Sequence, residues 1–152
     1  MPATTANQFL EALKARADKS GVFKEVKITS KGVLQCAAKH STEPAWYRVD
    51  RVEGTWRVSL VTADRWLSES IEADLMHHGD PIEELIEEEL IELGYKGKPP
   101  VVKHFRSDDM LYTFISEIPV DEGNPAKAVD TAAQWLLAYE AAFRELGDMG
   151  GE

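Results

Sequence analysis

With a single cysteine, Cys36, in 152 residues, no disulfide can close within this chain, and a reducing cytoplasm is the compartment that suits it. No apolar run approaches the roughly 20 residues of a membrane-spanning helix, and the first twenty residues lack the apolar core of a secretory signal. The expectation is a cytoplasmic protein with no membrane partner. Positive charge is scarce: 17 Lys and Arg stand against 27 Asp and Glu, a formal charge of -10. Phosphate contacts need clustered cations, so nucleic acid is not the expected partner. Lys14, Arg16, Lys19, Lys24, Lys27 and Lys31 do gather early, but they alternate with core positions and read as a solvated face. Also missing are a G-x-x-x-x-G-K-[ST] loop, a G-x-G-x-x-G turn, a C-x-x-C pair and a G-x-S-x-G elbow. With them go the enzyme classes those motifs mark, and no cofactor is implied.

What is present is strongly localised. The 24 residues from Glu69 to Glu92 hold ten carboxylates and no Lys or Arg, while the rest of the chain balances at 17 acidic and 17 basic residues. A concentrated field on an ordered surface constrains partners more than overall acidity does. The hydrophobic fraction of 43% is ordinary for a globule, and 152 residues suffice for one core. No linker or repeat divides the chain. Residues 1–147 read as one domain and 148–152 as a frayed tail.

Local patterns give an order of elements. Thr5 and Gln8 resemble a capping box opening a helix with Phe9, Leu10, Leu13 and Ala17 on one stripe, ended at Gly21. Alternating runs at Val22–Thr29 and Val33–Lys39 follow, then two strands, Trp46–Val52 and Thr55–Val61, joined at Glu53-Gly54. A two-residue loop there sets Val52 opposite Thr55, Tyr47 opposite Leu60, Val49 opposite Val58 and Arg51 against Trp56. The other face then pairs Asp50 with Arg57 and Arg48 with Ser59, and a one-residue slip would mix the two faces.

Asp64 and Ser68 both offer caps for a helix to His78, broken by Gly79. Asp80-Pro81-Ile82-Glu83 starts another, with Ile82, Leu85, Ile86, Leu90 and Leu93 as its buried stripe. A second hairpin runs Val101–Arg106 and Met110–Ile118 around Ser107-Asp108-Asp109. Its second strand is apolar on both faces, as a strand covered on both sides would be. Asn124-Pro125 opens a last helix whose Val129, Ala132, Leu136, Tyr139, Phe143 and Leu146 form a seam, predicted to pack on the sheet; the alternative is a helix shared with a second subunit. The order α-ββββ-αα-ββ-α indicates an α+β fold with an antiparallel sheet.

Three constellations carry chemistry worth weighing. Asp74, His77, His78 and Asp80 are the best metal set, since Asp74 shares a helix face with either histidine. Helical di-metal sites need two such units, and this chain has one. Metal binding is therefore the alternative reading. Cys36 and His40 suggest nucleophile and base, but Cys36 lies between Leu34 and Ala38 on one strand face, where a thiol is buried and inert. The glutamates after Glu83 belong in water, where none acquires the raised pKa of a catalytic acid. Of Trp46, Trp56, Trp66 and Trp135, Trp46 shares the mixed sheet face with Val61 and is the candidate for an exposed contact. A partner surface built on Trp46, Trp66, Glu83, Glu84, Glu87 and Glu88 follows.

The run VVKHFRSDDMLYTFISEIPVDEGNPAKAVDTAAQWLLAYEAAFREL, from Val101 to Leu146, resembles the YbjN-like family: a strand, an acidic turn, an aromatic-rich strand ending at a proline, then a long helix. That family in turn resembles type III secretion chaperones in fold. The resemblance implies a non-enzymatic protein-binding adaptor, often a homodimer, that holds a segment of another protein against sheet and helix surfaces, with no catalytic residues to carry over. The paired helices between Asp64 and Leu93 are longer than the single middle helix of the secretion chaperones.

Overall fold

The computed structural model describes residues 2–107, 110–121 and 123–150, with side chains except those of 2–7, 78 and 150. Its elements run α1 (Pro2–Ser20), β1 (Phe23–Ile28), β2 (Leu34–Ala38), β3 (Trp46–Val52), β4 (Thr55–Thr62), α2 (Arg65–His78), α3 (Ile82–Glu92), β5 (Lys103–Arg106), β6 (Tyr112–Glu117) and α4 (Pro125–Arg144), then a 3-10 turn at Gly147–Gly150. The fold is α+β. One antiparallel sheet holds all six strands in the order β1-β2-β3-β4-β6-β5.

The Glu53-Gly54 turn sets the central register. Both residues have positive φ, 51° and 81°, as a type I′ hairpin turn requires. Every pair counted from that turn is present, from Val52 opposite Thr55 to Trp46 opposite Val61. Asp50 and Arg57 meet across the strands at 3.2 Å. The face carrying Leu34, Cys36, Tyr47, Val49, Val58 and Leu60 is buried. Phe9 of α1 stacks on Trp56, Phe143 of α4 packs on Phe114, and Ser68 of α2 reaches His104, so the helices that touch the sheet do so on this one face.

Helix ends follow their caps. The Asp64 carboxylate accepts from Leu67 N–H at 2.8 Å, Asn124 accepts from Lys127 N–H at 3.3 Å, and Gly79 closes α2 in the left-handed conformation. The α4 seam is spent inside the chain: Val129, Ala132, Leu136, Tyr139 and Phe143 are all buried. It packs on the sheet, and Ser116 meets Tyr139 Oη at 2.6 Å across that contact.

Several expectations need correction. Helix α1 begins at Pro2, so Thr5 lies within the helix and not at its cap; its side chain is outside the described residues. Helix α3 is capped at Pro81 without a side-chain bond, one residue after the Asp80 predicted for that place. Only Ile82, Ile86 and Leu90 of its stripe are buried; Leu93 follows the last turn and is exposed. Val101 lies outside β5 and is exposed, and Asp108 and Asp109 are outside the described residues. The apolar run in β6 marks an interior strand, yet helices cover only one of its faces. Gly147–Gly150 is no frayed tail. Gly147 N–H donates to Asp74 at 2.8 Å, Asp148 N–H to Ser70 Oγ at 3.1 Å, and Met149 is buried. Residues 151 and 152 are outside the described residues.

Candidate functional site

Strand register places the sheet's second face residue by residue. One row crosses it as Glu25, Ala37, Trp46, Val61, Thr113 and Phe105. The next reads Lys27, Gln35, Arg48, Ser59, Ile115 and Lys103, and a third reads Asp50, Arg57 and Glu117. No described helix lies over this face. Val61, Thr113 and Ser59 are nonetheless buried. Phe105 stays 44% exposed. Trp46 is half-buried on this face, opposite Val61 as the register predicts.

A cleft opens where the outer strands part. Pairing of β5 with β6 ends at Lys103 opposite Ile115, while β6 continues to Glu117. Ile118 N–H donates to Trp56 O at 2.8 Å in the ladder with β4. Backbone groups alternate in direction along an antiparallel strand, so those of Glu117 turn away from β4 and toward the space that β5 leaves. The resulting cleft, about 640 Å³, is floored by Ile115, Ile118 and Trp135, walled by Pro99, Val101 and Phe105, and edged by Arg57, Lys98, Lys103 and Glu117. Its size is within the roughly 300–1,000 Å³ of specific ligand pockets.

The cleft has polar groups with nothing to bind. Trp135 is 1% exposed, and its indole N–H has no acceptor among the described residues. The Tyr95 ring meets it edge-on with centroids 5.6 Å apart, but the Tyr95 hydroxyl donates to Lys98 O at 3.0 Å and does not meet the indole N–H in hydrogen-bonding geometry. Arg57 is held by Asp50. Lys98 and Lys103 form no ion pair among the described residues. In a chain of charge -10, the cleft rim is locally cationic.

The residues singled out in the sequence are not gathered. Trp46 is on the outer sheet face, while Trp66 is 75% exposed on α2. Glu83, Glu84, Glu87 and Glu88 are on α3, which packs against α4. Glu83 is partly structural, its carboxylate accepting Val102 N–H at 3.2 Å and tying α3 to the segment that walls the cleft. Of the metal set, Asp74 is directed to the Gly147 turn, and Asp80 is exposed beyond the Gly79 cap. Among the described residues no three His, Cys, Asp or Glu are grouped to hold a metal; His77 is described, but the His78 side chain is not. Cys36 is fully buried, which pushes its thiol up to about 12, and His40 is exposed. That pair is inert.

One cluster had no sequence signal. His104 stacks on Phe114 at 3.8 Å, its Nδ1 lies 3.2 Å from Glu72 and its Nε2 3.4 Å from Ser68 Oγ. Burial lowers the imidazole pKa, and Glu72 partly opposes the shift. The order hydroxyl, imidazole, carboxylate is that of an activated nucleophile, but Ser68 is 2% exposed and the cleft does not reach it. It clasps α2 to the edge strand. No motif finds it, because 36 residues separate serine from histidine.

No protein-family model, curated protein or solved structure matches this chain. The functional reading therefore rests on geometry.

Proposed function

We propose that this protein is a non-enzymatic adaptor or chaperone-like protein that captures a segment of another protein on the open face and edge of its sheet. One observation carries the reading. Among the described residues, the helix–sheet contacts of Phe9, Ser68, Tyr139 and Phe143 fall on one face, and the other keeps an apolar row and a cleft. An antiparallel sheet face turned to water is ordinarily polar along its length. An apolar row that ends in an exposed Phe105 beside a cleft marks an interaction site instead. The acidic helices α2 and α3 supply solubility and long-range steering, and the sheet supplies affinity. The lone buried thiol suits a reducing cytoplasm.

Site-specific photo-crosslinking in the native host tests this. A photoreactive residue at Phe105 should yield a discrete product with another protein, whereas one at Met76, 84% exposed on α2, should not. A product with the mass of two copies would identify a homodimer as occupant. Equal labelling from both positions, or none from Phe105, would remove the sheet from the function.

A further inference from the structure

Resting on that reading, we infer that the cleft takes an extended segment in which bulky apolar residues alternate with carboxylates, added as a short strand along the free edge of β6. Three features of the cleft converge on this occupant. The backbone N–H and C=O of Glu117 face the space where β5 no longer pairs, and an extended chain satisfies both groups as another strand would.

Side chains of a bound strand then alternate between two surfaces. One surface is the floor of Trp135 and Ile118, which is apolar. The other is the outer face, where Lys103 and Arg57 stand, with Lys98 on the adjoining wall. Arg57 is already paired with Asp50, and Glu117 adds a negative charge, so the selecting cations are Lys98 and Lys103. Neither has an ionic partner among the described residues. A strand with carboxylates on its outward face supplies partners for both, whereas a basic strand would meet repulsion inside a half-closed site.

Fluorescence anisotropy with defined peptides tests the assignment. The probes are a fluorescein-labelled nonapeptide of alternating Val and Glu, its Val and Lys counterpart, and a Val and Glu version with a central proline. The first should bind, and weaken as salt rises. The second should bind at least about tenfold more weakly, a difference of about 1.4 kcal/mol. The proline version should also lose affinity, since it lacks an N–H and resists the ladder. The variant Lys98→Glu/Lys103→Glu, changed only at exposed positions, should invert the preference between the Glu and Lys peptides.

Equal affinity for both peptides, no binding of the Glu peptide, or an uninverted preference in the variant would overturn the inference. So would self-association in sedimentation that Lys98→Glu/Lys103→Glu abolishes, since a second copy would then fill the cleft. If Phe105 crosslinks a partner in cells while the peptides show no preference, the charge assignment falls and the proposed function stands. If neither experiment succeeds, both fall.

Discussion

Val58 and Val61 are on the same strand, are 0% and 4% exposed, and face opposite sides of the sheet. Burial alone says that truncating them costs the same. The structure says otherwise, because Val58 faces the packed helices while Val61 is on the open face. Each Val→Ala change removes about 1.6 kcal/mol of transfer free energy, at about 0.8 kcal/mol per methylene-sized group. At Val58 the cavity cannot drain or close; about 40 Å³ at about 24 cal/mol per Å³ adds about 1 kcal/mol. Val58→Ala should therefore cost about 2.5 kcal/mol. At Val61, Trp46 and Thr113 can relax inward and water can enter, so the cavity contribution vanishes and about 1.6 kcal/mol remains. Lost β-propensity is common to both and cancels in the comparison. Urea unfolding with a slope of about 2 kcal/mol per molar would separate the two midpoints by about 0.5 M. Equal costs would refute the open face, since something would then cover Val61 as tightly as the helices cover Val58. A Val61→Ala cost that grows with protein concentration would name a second copy as that cover.

The remaining predictions concern the packing around the site. Gly147 has φ 51°, and a Cβ there would lie 2.6 Å from the Ser70 carbonyl carbon and 2.7 Å from Ile71 N, so Gly147→Ala must lift the C-terminal turn from α2. Its cost is capped by the docking it abolishes, about 1–3 kcal/mol; its urea midpoint should match that of a chain truncated after Leu146, and a wild-type midpoint would refute the contact. The Cys36 thiol, pushed up to about 12 by burial, should ignore a disulfide reagent at about pH 8 in native protein and react fully in denaturant; rapid native labelling would show that β2 opens. Burial lowers the His104 pKa below 6.5, so the unfolded chain binds the proton more readily. This contribution to stability is full above about pH 6.5 and shrinks as pH falls below it. His104→Gln should flatten that part of the stability profile between about pH 7.5 and 5.5, and an unchanged slope would refute the clasp. Glu140, raised by burial, acts in the opposite sense, so the His104 contribution is read as the difference between the two profiles.

What could be read from the sequence was local. The Glu53-Gly54 turn fixed a register because two positive-φ residues leave one pairing that keeps Tyr47, Val49, Val58 and Leu60 together. Asp64 and Asn124 announced their helices because a short polar side chain before an apolar period has one use. The cleft was not readable in this way. It exists because β6 inserts between β4 and β5 and outlasts β5 by two residues, and no local pattern states that β4 pairs with β6 across two intervening helices and β5 itself. The same gap hid the Ser68–His104–Glu72 clasp. The C-terminal turn misled for the opposite reason: Gly, Asp and Gly look disordered in sequence, yet Gly147 is needed to lay the chain against Ser70.

The acidic block, the loudest signal in the sequence, then has a role by exclusion. Ile86 and Leu90 anchor α3 on α4, but Ile91 on that helix and Leu93 just past its end remain 63% and 41% exposed, and Trp66 and Met76 are more exposed still on α2. That side therefore has exposed apolar residues of its own. With Glu84, Glu88 and Glu92 in water beside them, any partner must desolvate charge to reach those residues. The sheet face has a weaker barrier. From Ala37 through Trp46, Val61 and Thr113 to Phe105 its row carries no charge, with Glu25 only at the β1 end and Lys27 and Arg48 in the neighbouring row. The glutamates thus make the helical side costly to contact, which is why the proposed partner is assigned to the sheet.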